Sequence, residues 1–215
     1  NYLFEISYDG TNFHGWQIQK EDRTVQGILQ KEIKSIFKIE NVKLTGSGRT
    51  DSGVHANSQV ANIILDTSMS VNQIKNALNS KLPDDIFIRN CKRVKADFNA
   101  RFSAKKREYI YYIINNYSLT KRHYVWKCKW KLNQSRLIKC ADMLIGEYDF
   151  SQYSKASSDT ENKVCKIYEC IWIFDDSKFE FKIIGNRFLQ HMVRLLVGTM
   201  VEVARNRMSI NDFSK

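Results

Sequence analysis

The segment GSGRTDSGVHA, Gly46–Ala56, places a single carboxylate among glycines. Asp51 follows Gly46 and Gly48 and precedes Gly53, with Arg49 two residues before it and His55 four after. A carboxylate beside a guanidinium has its pKa lowered by roughly 1–3 units, so it stays ionised when a site closes. An ionised Asp can act as a nucleophile. Arg49 is the nearest cation in sequence, but in a loop that spacing does not force a pairing. The glycines allow positive φ and the close approach of another backbone. The plainer account is a β-hairpin connection in which Asp51 makes an Asx-turn. Two phosphate-binding motifs are excluded. A dinucleotide fingerprint needs a glycine where Asp51 stands and a helix starting there. A Walker loop needs Gly-Lys-Ser/Thr, which is missing.

The elements around this loop repeat. Leu3–Tyr8 alternates and ends at Asp9-Gly10, a strand and a turn. Val25, Ile28, Leu29, Ile33, Ile36 and Phe37 recur at helical spacing behind Thr24 as N-cap. A short strand over Val42–Thr45, a strand over Gln59–Leu65, a helix carrying Val71, Ile74, Leu78 and Leu82 that stops at Pro83, and a strand over Ile86–Val94 complete βαββαβ. That is the ferredoxin-like pattern. A strand over Glu108–Ile114, a helix through Leu137, Cys140, Ala141 and Leu144, and strands Tyr168–Phe174 and Phe179–Ile184, joined at Asp175-Asp176-Ser177, open a second series. It closes with a long helix from Phe188 to Ala204, with Asn186 near its N-cap. This gives βαββα, without the last strand. The expected fold is α+β: two ferredoxin-like subdomains, residues 1–103 and 104–215, with antiparallel sheets joined edge to edge around a basic cleft. The incomplete second series, together with Ser209–Lys215 starting like a further helix, predicts that the native protein is longer. Asn1 in place of Met suggests a trimmed start.

Composition bounds the partners. The chain has 215 residues, 43% of them hydrophobic, enough for a sizeable core. Lys plus Arg exceed Asp plus Glu by 11. Such an excess favours a polyanion, because neutralised phosphates release counterions; a basic proteome or simple solubility is the bland account. No apolar run approaches membrane-spanning length, so no membrane association is expected. The five cysteines are odd in number and lack C-x-x-C spacing, and the four histidines are scattered. Neither a disulfide framework nor a metal site is indicated, and a cytoplasmic location fits.

The loop closely resembles the signature of the tRNA pseudouridine synthase A (TruA) family. Three further blocks, YDGTNFHGWQIQ, DFNARFSAKKREYIYYI and NRFLQHMVRLLVGTMVEV, resemble that family's blocks in the same order. The resemblance implies isomerisation of uridine to pseudouridine in the anticodon stem-loop of tRNA, at positions 38 to 40, without a cofactor and by a homodimer. It makes Asp51 the catalytic aspartate, Arg194 its ion-pair partner, and Arg49 the arginine that displaces the target base. It makes Tyr109 the tyrosine against the uracil, placed to assist proton loss from C5. Whether the Asp attacks the sugar, acts on the base or serves an elimination route is left open. Without the resemblance, Tyr109 in REYIYYII would read as a core strand aromatic.

Other residues are weighed on their surroundings. Lys105, Lys106 and Arg107 lead straight to Tyr109 and are expected at the RNA surface. Arg187, His191, Arg194 and Gly198 share a helical face whose glycine end would admit another element. His55 could touch phosphate or bond within the loop, and the structural role is favoured. Asp9, Phe13 and Trp16 are explained equally well by a turn and core packing. In HYVWKCKWKL, lysines 127, 129 and 131 alternate with aromatics, either to track phosphates or to protect an edge strand. Ser154–Lys163 reads as a polar loop. The rivals are a non-catalytic RNA-binding module, which lacks its RNP1 segment, and a uridine-specific nucleoside hydrolase or glycosylase, which would want a second carboxylate.

Overall fold

Alternate residues of β1 (Tyr2–Tyr8) are buried: Tyr2, Phe4, Ile6 and Tyr8. The strand starts the first of two compact units, Asn1–Ala104 and Lys105–Lys215, in a computed structural model that describes residues 1–116, 118–155, 160–175 and 177–213. A single 3-10 turn, Gly10–Asn12, follows, opened by Asp9, whose carboxylate accepts from the Thr11 N–H. α1 (Val25–Phe37) begins where the Thr24 hydroxyl accepts from the Gly27 N–H, and it turns Val25, Leu29 and Ile33 to the core. β2 (Thr45–Gly46), β3 (Ala56–Ile63), α2 (Val71–Asn79), β4 (Ile86–Arg93) and the short α3 (Ala100–Ser103) complete this unit. A capping box between Ser70 and Gln73 starts α2, satisfying two otherwise orphaned donors. The sheet order is β2-β3-β1-β4, with every pair antiparallel.

The strand expected over Val42–Thr45 shrinks to Thr45–Gly46. The Gln30 amide donates to the Val42 carbonyl at 3.1 Å and the Gln26 amide to the Leu44 carbonyl at 3.0 Å. Side chains of α1 thus satisfy acceptors that a strand ladder would otherwise serve.

The second unit contains β5 (Arg107–Ile114), β6 (Trp126–Lys127), α4 (Gln134–Met143), β7 (Gly146–Asp149), β8 (Val164–Phe174), β9 (Lys178–Gly185), α5 (Met192–Ala204) and α6 (Ile210–Phe213). Its sheet order is β6-β5-β9-β8-β7. β5 and β6 run parallel, so this sheet is mixed rather than antiparallel as expected. β7 was not foreseen, being too short to show a period; β6 falls within the lysine-rich run that could have been an edge strand. Only Trp126 and Lys127 of the lysine-rich run pair with β5. Lys127, Lys129 and Lys131 are nonetheless exposed, while Cys128 and Leu132 are buried and both tryptophans pack on the core. The run lies at the sheet edge, as the edge-protection account requires.

The long helix begins at Met192, four residues later than Phe188, with His191 before it in the left-handed region (φ 65°). Asn186, expected near the cap, is occupied elsewhere. Its N–H donates to the Lys166 carbonyl and its side chain accepts from the Lys166 N–H, both at 2.9 Å. Arg187 and His191 therefore leave the proposed helical face, and Arg194 and Gly198 remain. At the β8–β9 turn the Asp175 carboxylate accepts from the N–H groups of Ser177 and Lys178; Asp176 lies outside the described residues. So do 156–159 of the polar loop and 214–215 after α6, whose start is capped by the Ser209 hydroxyl accepting from Asp212 N–H. Among the described residues no helix is long and apolar enough to cross a membrane.

Candidate active site

The loop between β2 and β3 lies against residues 8–16, and backbone groups on both sides of Asp51 are held there. The Trp16 N–H donates to the Thr50 carbonyl and the Gly53 N–H to the Phe13 carbonyl, each at 3.1 Å. The Ser52 hydroxyl also donates to the Phe13 carbonyl, and the Tyr8 and Thr50 hydroxyls meet at 2.8 Å. Farther along, the Gly10 N–H lies 3.0 Å from His55 Nδ1, which is 3.1 Å from Asp9 Oδ1. The Val54 N–H closes a turn onto the Asp51 carbonyl at 3.2 Å. Asp51 is half-buried and Arg49 exposed. Among the described residues no ion pair joins them, so neighbouring in sequence did not make them partners.

This approach explains glycines outside the motif. A Cβ on Gly10 would lie 2.1 Å from the Val54 carbonyl oxygen, and one on Gly15, at φ +89°, 2.5 Å from that of Thr50. Only glycine lets the two segments come this close. Within the loop, Gly53 alone takes the positive φ that the sequence suggested. The turn rests on the core. Phe13 and Trp16 are 2% and 1% exposed. The Arg23 guanidinium lies 4.0 Å from the Phe13 ring centroid and makes two 2.9 Å bonds to the Asp85 carboxylate. Tyr8, Thr50 and Gly15 were not foreseen as parts of the site; no local pattern marks a residue whose partner is some 40 positions away.

In the second unit, Tyr109, Tyr111 and Ile113 share the core-facing side of β5. Tyr109 is half-buried and meets Phe188 edge-on, with centroids 5.1 Å apart. Burial pushes the Tyr111 phenol pKa up, and the positive charge of Arg194 opposes it. Arg194 itself is exposed on α5. A Cβ at Gly198 would meet nothing within 4 Å among the described residues, so none of them requires a glycine there. The basic cluster divides. Lys105 is exposed, the Lys106 ammonium sits 5.1 Å from the Tyr168 ring centroid, and the Arg107 guanidinium donates to the Asn186 carbonyl at 2.6 Å. Arg107 thus has a structural bond as well as a charge. Phe188, the neighbour of Tyr109, went unrecognised because its block read as the start of a helix.

Comparison with known proteins gives this arrangement its context. A family described as tRNA pseudouridine synthase matches residues 6–103 and 140–215. The chain belongs to the tRNA pseudouridine synthase family. Proteins named tRNA pseudouridine synthase A are similar over nearly its whole length. That of Chlorobium limicola is 43% identical over 208 residues, covering 96% of this chain and 85% of its own. That of Caldicellulosiruptor saccharolyticus is 40% identical over 214 residues, covering 99% and 87%. That of a Geobacillus species is 39% identical over 211 residues, covering 97% and 85%. The family makes this chain an isomerase that converts uridine to pseudouridine in tRNA. The matched residues include Arg49, Asp51 and Arg194 but pass over 104–139, and with them Lys105, Lys106, Arg107 and Tyr109.

The cysteines are poor candidates for a nucleophile. All five are buried and free. Burial pushes the thiols of Cys91 and Cys140 up to about 11 and raises those of Cys165 and Cys170 as well. A buried thiol with a raised pKa is inert. Among the described residues no group of three or more His, Cys, Asp and Glu side chains is placed to hold a metal ion.

Proposed function

We propose that this tRNA pseudouridine synthase acts on the anticodon stem-loop, at positions 38 to 40, with Asp51 as its nucleophile. The observation that supports this reading best is the loop itself: a half-buried carboxylate whose neighbours on both sides are bonded to a core-anchored turn. With Asp51 acting on the nucleotide, the C1′–N1 bond breaks and uracil departs as an anion with its charge spread over two carbonyls. The base turns over, C5 bonds to C1′, and Asp51 is regenerated. The proton lost from C5 is balanced by one gained at N1, so nothing is added or removed.

Tyr109 lies against the uracil and assists loss of the C5 proton. Arg49 displaces the base and occupies its place, offsetting an extrusion that costs a few kcal/mol. Arg194 supplies the positive charge beside which Asp51 stays ionised. Lys105, Lys106 and Arg107 meet phosphates. Each half is ferredoxin-like, a reading supported in the first by its βαββαβ order and its β2-β3-β1-β4 sheet. The sheets join edge to edge around a basic cleft, and two copies form a cytoplasmic homodimer. Free, buried cysteines suit that compartment.

The test is incubation with unmodified tRNA. Loss of uridine at 38 to 40 without change of mass supports the proposal. Free uracil would mean a hydrolase, and binding without either product a non-catalytic module.

A further inference from the structure

We propose that Tyr8 and His55 are positioning residues for Asp51, forming the two ends of a clamp on the catalytic loop. The inference rests on the reading of Asp51 as nucleophile. Upstream of Asp51, Thr50 is held twice: its hydroxyl by Tyr8 at 2.8 Å and its carbonyl by the Trp16 N–H at 3.1 Å. Downstream, Ser52 and Gly53 both bond to the Phe13 carbonyl, and His55 Nδ1 stands 3.0 Å from the Gly10 nitrogen. Tyr8 is 4% exposed. A phenylalanine would fill the same space, so packing explains the ring but not the hydroxyl. That hydroxyl is the polar tip of a core side chain, and it meets the residue next to Asp51.

The imidazole does similar work. His55 Nδ1 can take the Gly10 N–H only as an acceptor and can meet Asp9 only as a donor, so it serves one partner at a time. Asp9 Oδ1 already accepts from the Thr11 N–H at 2.9 Å and the Thr11 hydroxyl at 2.6 Å. Either bond ties the end of the loop to the first turn. Misplacing a reacting group by about 1 Å costs about 10²-fold in rate. Loosening the clamp should therefore lower kcat and leave tRNA affinity largely alone. A histidine that contacts phosphate would instead change KM and its salt dependence.

The test measures kcat, KM and melting temperature on an unmodified tRNA transcript for His55→Leu, His55→Asn and Tyr8→Phe, with Asp51→Asn in parallel. Asn places an amide atom where Nδ1 stands, so it can renew a bond that Leu cannot. His55→Leu should lower kcat by about tenfold or more, with KM within about threefold, and His55→Asn should recover most of the loss; the scale is set by the cost of misplacement. Tyr8→Phe should lower kcat by about fivefold while melting like the wild type. It keeps the test decisive if His55→Leu does not fold. Unchanged kcat in Tyr8→Phe, a loss confined to KM, or a folded His55→Asn no better than His55→Leu would overturn the clamp. An active Asp51→Asn would overturn the nucleophile instead. An inactive Asp51→Asn beside unimpaired Tyr8→Phe and His55→Leu would remove the clamp alone.

Discussion

The two units hold their candidate site residues by different physics. In Asn1–Ala104 the loop carrying Asp51 is fixed by directional hydrogen bonds and by glycines that let two backbones approach. In Lys105–Lys215, Tyr109 is fixed by its strand register and an aromatic edge contact, and Arg194 by its place on a helix that buries its apolar face. Hydrogen bonds fail sharply with distance and angle. Apolar packing tolerates substitutions that conserve shape. The role proposed for Asp51 calls for the first kind of support, and that proposed for Tyr109 can rely on the second. The first unit should therefore be brittle to single-atom changes and the second forgiving.

The largest effect expected is at the proposed nucleophile. Asp51→Asn should lower turnover by at least ~10³-fold, the scale of losing a chemically essential group, with tRNA binding within a few-fold. Turnover like the wild type would falsify the assignment. The next contrast sets glycine against glycine. Gly15→Ala would push a Cβ against the Thr50 carbonyl at a positive φ and should cost about 10²-fold in kcat by shifting the loop. Gly198→Ala meets open space in mid-helix and should stabilise the fold by up to ~1 kcal/mol. Thermal melts and kinetics of the pair, with equal losses in both, would erase the proposed difference between the units.

At Tyr109 the ring should matter more than its packing site. Tyr109→Ala should cost about 1–3 kcal/mol of stacking, read as a fall in kcat/KM. Tyr109→Phe keeps the contact to Phe188, so any loss it shows belongs to the phenol. A smaller effect is expected in binding. Lys105 and Lys106 together changed to Glu should weaken tRNA binding more than Lys127 and Lys129 so changed. The same change should flatten the salt dependence by about one unit of slope for each phosphate no longer neutralised. Arg107 is left out because its bond to Asn186 would be broken too. Equal effects from both pairs would move the RNA surface away from Tyr109.

The smallest effect is a titration. Burial raises the Tyr111 pKa and Arg194 lowers it, so Arg194→Ala should move it further up. Because the folded value lies above the ordinary one of about 10, the contribution of Tyr111 to stability is complete below pH ~10 and declines as pH rises toward the folded pKa. Arg194→Ala should extend that decline to higher pH. Tyrosinate absorbance against pH, unchanged by the substitution, would place Arg194 away from β5.

The sequence alone determined the periodic elements, the cap residues and the character of the loop. Alternation in β1, the Thr24 cap and the apolar face of α5 depend on neighbours within a few positions, which a linear reading contains. The loop was legible through its resemblance to a family signature; taken alone, one acid among glycines reads more plainly as a hairpin connection. Tertiary structure decided what depends on distant partners. Gln26 and Gln30 take the carbonyls that would have lengthened β2, and Asn186, bonded to Lys166, cannot start the helix. Gly10 and Gly15 matter because of Val54 and Thr50, 44 and 35 residues farther on. His55 finds its partners at Asp9 and Gly10 for the same reason. Each buried donor and acceptor must find a partner, and only the folded chain brings the competing partners together.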